Sequence, residues 1–160
     1  MSYEVIIEIP KGSRNKYEHD HERGIIRLDR MLFSSMQYPA DYGFFPDTLA
    51  EDEDPLDALV LLWEPTFPGC HIEIEPVGVF KMKDEMGVDF KVLCRPLNDP
   101  MWAHINKLDE VPPHLLREIE HFFLVYKDLE EKKTEIDGWE DENSTERIIR
   151  DAQERYKAHS

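Results

Sequence analysis

Basic residues are scarce in this 160-residue chain: Lys and Arg number 19 against 35 Asp and Glu, a formal net charge of −16. Nucleic acid and anionic membrane surfaces both demand a basic footprint, so neither is an expected partner. Cysteine is nearly absent, with only Cys70 and Cys94, and no C-x-x-C or Cys/His finger spacing is present. That excludes a disulfide framework and a thiolate zinc site, and leaves two reduced structural thiols. Glycine is also sparse, at 7 residues, and no low-complexity linker or repeat interrupts the chain, so 1–160 reads as a single domain. Long apolar runs are missing. The longest, Ala58 to Trp63, is far too short to span a bilayer. The start, MSYEVIIEIP, has neither the cationic head nor the apolar stretch of a signal peptide, and the expected compartment is the cytoplasm. A Gly-rich phosphate loop and an H-E-x-x-H pair are likewise absent.

What is present begins with short strands. Tyr3 to Ile9 alternates in part, with Tyr3, Val5, Ile7 and Ile9 on one face, and ends at Pro10. Gly24 to Leu28, Ala58 to Leu62, Ile72 to Ile74, Val77 to Met82 and Asp89 to Cys94 read as further strands, separated by Pro, Gly or Asp. Strands of that length and spacing suggest a closed or nearly closed β-barrel. The period then changes. Leu115, Leu116, Ile119, Phe122, Phe123 and Tyr126 form one helical face behind Pro112-Pro113, a plausible helix start. Asn143, with Glu146 three residues on, looks like the cap of a second amphipathic helix carrying Ile148, Ile149, Ala152 and Tyr156. Strands first and helices later give an α+β class.

The chemistry concentrates in DTLAEDEDPLD, Asp47 to Asp57, where six of eleven residues are acids. Pro55 fixes φ and stiffens the turn, and Asp57 stands directly before the apolar run. Carboxylates held together raise one another's pKa unless cations neutralise them. Hard divalent ions with oxygen ligands suit Asp52, Asp54 and Asp57; a solvated acidic turn is the plainer alternative. An EF-hand does not fit, because counting from Asp52 places Asp57 at position six and Trp63 at position twelve. A second acidic group, Asp84-Glu-Met-Gly-Val-Asp89, leads into Asp89-Phe-Lys91, where period two puts acid and ammonium on one face. It reads as a surface hairpin or as a place that handles metal and phosphate together. Lys16-Tyr17-Glu18, Asp29-Arg30 and Tyr126-Lys127 offer the charges and neutral hydroxyl donors of phosphate binding, or of an ordinary surface. The seven histidines read as structural or surface residues.

Glu8 in IEIP, Lys16-Tyr17-Glu18, Asp29-Arg30, Tyr38-Pro-Ala-Asp-Tyr42-Gly43, Asp52-Glu-Asp54-Pro-Leu-Asp57, Asp84 to Lys91 and His121 to Lys127 with Asp-Leu following run in one order. Together they resemble the soluble family I inorganic pyrophosphatases of the short prokaryotic type. The resemblance spans about three quarters of the chain, from Glu8 to Lys127. It implies an OB-like five-stranded closed barrel with flanking C-terminal helices, commonly assembled as a homo-hexamer. It implies hydrolysis of pyrophosphate to two orthophosphates with several Mg2+, for which Mn2+ or Zn2+ can substitute. Asp52, Asp57 and Asp89 match the ligands of the tight metal site, and Asp57 also bridges to a second metal with Glu8 in its outer environment. Glu18, Asp84 and Asp89 match the positions that hold metals arriving with substrate. Lys16, Arg30, Tyr42, Lys91, Tyr126 and Lys127 match phosphate contacts. Asp54 matches the carboxylate that takes a proton from the attacking water, with Asp89 as the other candidate. One departure stands out: Glu53 occupies a position where the family usually has glycine, so a positive φ there would be strained by about 1 kcal/mol. Asp41 stands where asparagine is frequent. Two other functions fit the composition: a non-catalytic acidic module for divalent cations, and a phosphohydrolase acting on nucleotides or polyphosphate.

Overall fold

The computed structural model describes residues 2–159. Eight strands precede, separate or follow two long helices: β1 Tyr3–Ile9, β2 Asn15–Asp20, β3 Ile25–Met31, β4 Asp41–Phe44, β5 Asp57–Val60, β6 His71–Asp84, β7 Gly87–Pro96, α1 Pro113–Val125, β8 Glu135–Glu140 and α2 Glu142–His159. The order β1-β4-β5-β7-β6 closes on itself, because β6 also pairs with β1. The result is the expected five-stranded closed OB-like barrel. β8 extends it by pairing with the far half of β6, and β2-β3 form a separate hairpin.

Long β6 makes closure possible. Its first residues, His71 to Ile74, pair with β1, while Val79 to Lys83 pair with β8 and nearly its full length pairs with β7. The register shifts between Pro76 and Gly78. A proline cannot donate to the ladder, and the bulge absorbs the defect without ending the strand. The two strands expected at Ile72 to Ile74 and Val77 to Met82 are therefore one.

Alternation along β5 and β7 feeds two apolar cores. Ala58, Val60, Val92 and Cys94 join Val5, Ile7, Ile74 and Val79, with Ile149 and Ala152 of α2. Leu59, Leu61 and Leu93 join Phe80 and the α1 residues Ile119, Phe122 and Phe123. β1 and β4 approach so closely that a Cβ on Gly43 would lie 2.0 Å from the Ile6 carbonyl oxygen, and only glycine fits there.

Pro113 opens α1, as its position suggests. The cap of α2 differs from the expectation. Asp141, not Asn143, precedes the helix, and its Oδ1 accepts the Asn143 N–H at 3.0 Å. An aspartate one residue before the first turn can reach a free amide; Asn143 is already inside the helix. α2 also reaches the acidic segment. The Leu49 N–H donates to the Ala152 carbonyl at 2.9 Å, and Arg155 Nη1 donates to the Leu49 carbonyl at 2.8 Å. Both cysteines are free, Cys94 buried and Cys70 partly so. Among the described residues no helix is long and apolar enough to cross a membrane.

Candidate active site

Strand ends and two hairpins meet around a cleft of about 250 Å³. Parallel pairing sets Asp57 of β5 beside Lys91 of β7, and antiparallel pairing sets Phe44 of β4 beside Asp57. Lys91 is the centre of the floor. Its Nζ donates to Tyr42 Oη at 2.8 Å, Asp57 Oδ2 at 3.0 Å and Asp89 Oδ2 at 3.1 Å, and the side chain is only 2% exposed. Burial works against the ammonium, but Asp57 and Asp89 overrule it and hold its pKa well above the ordinary lysine value.

The acidic loop forms one wall. Asp52 Oδ1 accepts the Asp54 N–H at 3.1 Å, the Ala50 N–H donates to the Asp54 carbonyl at 2.7 Å, and the Glu53 N–H donates to the Ala50 carbonyl at 3.0 Å. This tight turn forces Glu53 to φ 70°, the left-handed region. The β2-β3 hairpin forms the opposite wall and brings Lys16, Tyr17, Glu18, His19 and His21 to the cleft. It is tied to β1 by Glu8, whose Oε2 accepts the His19 N–H at 2.8 Å. The β6-β7 turn contributes Asp84, Glu85 and Met86, with Lys127 Nζ 3.8 Å from Asp84 Oδ2 and 3.6 Å from Glu85 Oε1. Tyr126 stacks on Phe122 at 5.1 Å between ring centres.

Glu8, Lys16, Glu18, Tyr42, Asp52, Asp54, Asp57, Asp84, Asp89, Lys91, Tyr126 and Lys127 thus all line one cleft, although they come from segments over a hundred residues apart. Arg30 does not line it. Arg30 sits opposite Lys16 in the hairpin ladder, and its guanidinium is engaged by Asp29 at 2.5 Å and Glu130 at 2.9 Å. Its Nε is buried without a partner among the described residues. His19, half-buried, and His21, exposed, also line the cleft, and their rings flank Phe44. Burial, then the neighbouring His21, lowers the His19 pKa. Their i, i+2 spacing is too short for a helical ligand pair, and only the turn after Asp20 folds the second ring back on the first.

The electrostatics expose a deficit of positive charge. Eight acids and three lysines line the cleft. Desolvation pushes Glu8 up to about 7, helped by Asp57 and Glu18 and opposed by the His19 N–H and Lys16. Desolvation likewise lifts Asp89 to about 6 against the pull of Lys91. Asp52 and Asp54 are raised, again chiefly by burial. The protein's own cations leave these carboxyls under-compensated, and their hard oxygen donors suit a divalent ion such as Mg2+. Among the described residues no three His, Cys, Asp or Glu side chains draw together into a closed coordination shell; the ammonium of Lys91 lies between Asp57 and Asp89 instead. Burial keeps Tyr42 and Tyr126 protonated far into the alkaline range, so both remain neutral donors.

A barrel carrying carboxylates, lysines and neutral tyrosines in one cleft is suited to holding anions beside cations. The inorganic pyrophosphatase family model matches residues 5–157, and the chain belongs to that family. It is 59% identical to the inorganic pyrophosphatase of Methanosarcina mazei over 152 residues, 95% of this chain and 90% of that one. With the Methanosarcina acetivorans protein of the same name it shares 61% identity over 152 residues, with the same coverage of 95% and 90%. Among solved structures, the inorganic pyrophosphatase of Helicobacter pylori superimposes with a TM-score of 0.95 at 40% identity, covering 98% of this chain and 94% of that one. The Thermus thermophilus enzyme gives 0.95 at 43% identity, covering 98% and 91%.

Proposed function

We propose that this chain is an inorganic diphosphatase that hydrolyses pyrophosphate to two orthophosphates with Mg2+, acting as one pyrophosphatase domain over 1–160. The observation that carries the reading is the meeting of the acidic loop, Asp89-Lys91 and Lys127 in one cleft. A purely cation-binding module explains the acids but leaves the lysines beside them without purpose.

Asp52, Asp57 and Asp89 would hold a tightly bound divalent ion, with Asp57 also available to a second and Glu8 beside them. Glu18, Asp84 and Asp89 would hold ions that accompany substrate. When bound there, divalent ions lower the pKa of a coordinated water from 15.7 towards ~7 and offset the cleft's negative charge. The chain's own residues supply the remainder. Asp54 accepts a proton from the attacking water at a carboxylate oxygen, and partial burial raises its pKa. Asp89 is the other candidate, already bound to Lys91 at 3.1 Å. Tyr42 accepts from Lys91 and so keeps its own O–H to donate to a phosphate oxygen. Lys16, Lys91, Tyr126 and Lys127 complete the phosphate contacts, attracting and orienting a polyanion that the net charge would otherwise repel. Arg30 joins them by exchanging its carboxylate partners for phosphate.

The assembly is read as a homo-hexamer in the cytoplasm, on family resemblance. Exposed Leu28, Met31 and Phe33 on and beside β3 provide apolar surface for such contacts. Mn2+ or Zn2+ can replace Mg2+ at the carboxylates. A phosphate-release assay with Mg2+ tests the reading: pyrophosphate is cleaved much faster than ATP or polyphosphate, and excess chelator abolishes turnover. Equal cleavage in chelator, or preference for ATP, overturns it.

A further inference from the structure

We infer that His19 and His21 form a separate binding site, at the rim of the cleft, for a transition-metal ion of tetragonal preference such as Ni2+ or Cu2+. The two Nδ1 atoms face each other at 2.8 Å, one ring now donating its hydrogen to the other. Two imidazole nitrogens about 2.0–2.1 Å from one ion lie ~2.9 Å apart at a right angle and ~3.4 Å apart at a tetrahedral angle. The observed spacing matches the right angle, the arrangement of square-planar and octahedral N,O sites. Both rings bind as neutral imidazoles with hydrogen on Nε2, so the shared hydrogen moves by a tautomer change and no proton is lost overall. Imidazole is a borderline donor, unlike the carboxylates across the cleft, so the site selects a different class of ion from theirs.

Its geometry is held in place before any ion arrives. The His19 N–H is anchored on Glu8 at 2.8 Å. Asp20 Oδ1 accepts the N–H groups of Glu22 and Arg23, each at 3.1 Å, which fixes the turn presenting His21. Phe44 packs against both rings, with centroids 5.1 and 5.2 Å away, and limits their rotation. Waters or a neighbouring oxygen complete the shell.

Isothermal titration with Ni2+ alone as probe, in saturating Mg2+ to occupy the carboxylates, tests the site. One Ni2+ per chain binds the unsubstituted protein, and His19→Gln and His21→Gln each weaken it by at least about tenfold. Cu2+ electron paramagnetic resonance gives a second readout: hyperfine structure from two nitrogens, reduced to one in either variant. Unchanged Ni2+ affinity in both variants, or a Cu2+ spectrum with oxygen ligands only, overturns the assignment. Normal circular dichroism and Tm of the variants separate loss of the site from loss of fold.

Discussion

Replacing Glu53 by glycine tests how the acidic loop is built. Glu53 is exposed, at φ 70°, and its N–H is committed to the Ala50 carbonyl at 3.0 Å. The turn cannot relax to negative φ without breaking that bond and the Ala50 to Asp54 bond at 2.7 Å. A residue with a Cβ in this region costs about 1–2 kcal/mol, whereas glycine adopts it freely. Glycine gives back about 0.5–1 kcal/mol by enlarging the unfolded ensemble. The difference leaves Glu53→Gly more stable by about 0.5–1 kcal/mol, or about 1–4 °C in Tm for a chain of this size. Glu53→Ala removes the same charge but keeps the Cβ, so its Tm stays within about 1 °C of the unsubstituted protein. Differential scanning calorimetry in chelator, at one protein concentration, compares the three. If alanine stabilises as much as glycine, relief of charge is responsible and the backbone argument fails; if neither does, the turn carries no strain.

Three more outcomes are expected. Asp54→Asn lowers kcat by roughly 10²–10⁴-fold while Mg2+ affinity, followed by titration, changes little; an unaltered rate across pH would pass the base role to Asp89. Asp57→Asn weakens Mg2+ binding and turnover together, because a ligand loses its charge and Lys91 loses one of its two acid partners. In chelator, the raised pKa values of Glu8, about 7, and Asp89, about 6, mean that the folded state holds protons the unfolded state has released. Their contribution, about 3 kcal/mol each, is present below the unfolded values near 4 and is lost as pH rises through 6 and 7. Urea midpoints in chelator therefore fall between about pH 4 and 7, and Mg2+ removes the decline; a rising midpoint over that range in chelator would contradict the burial of these carboxyls.

The barrel and α1 were legible in the sequence because their apolar periods are strong: β1 has the predicted bounds, and Pro113 opens α1 where a proline belongs. β2, β4 and β8 were not. Asn15–Asp20 reads NKYEHD, with no apolar alternation, because its ladder is held by one partner strand and the cleft. Asp41–Phe44 spans four residues with a glycine at its closest approach to β1. Glu135–Glu140 interrupts its pattern with Gly138 at positive φ. Twelve of the thirteen candidate site residues share the cleft, all but Arg30. Arg30 and the histidine pair depend on how a hairpin turns in space, and spacing alone does not encode that.

α2 has a bearing on this site that its amphipathic face alone does not suggest. By gripping Leu49 through Ala152 and Arg155, the final helix anchors one root of the loop that ends in Asp57. Fraying that helix would slacken the carboxylates some hundred positions upstream, so a chain trimmed at its tail could keep every acid and lysine of the cleft and still lose their alignment.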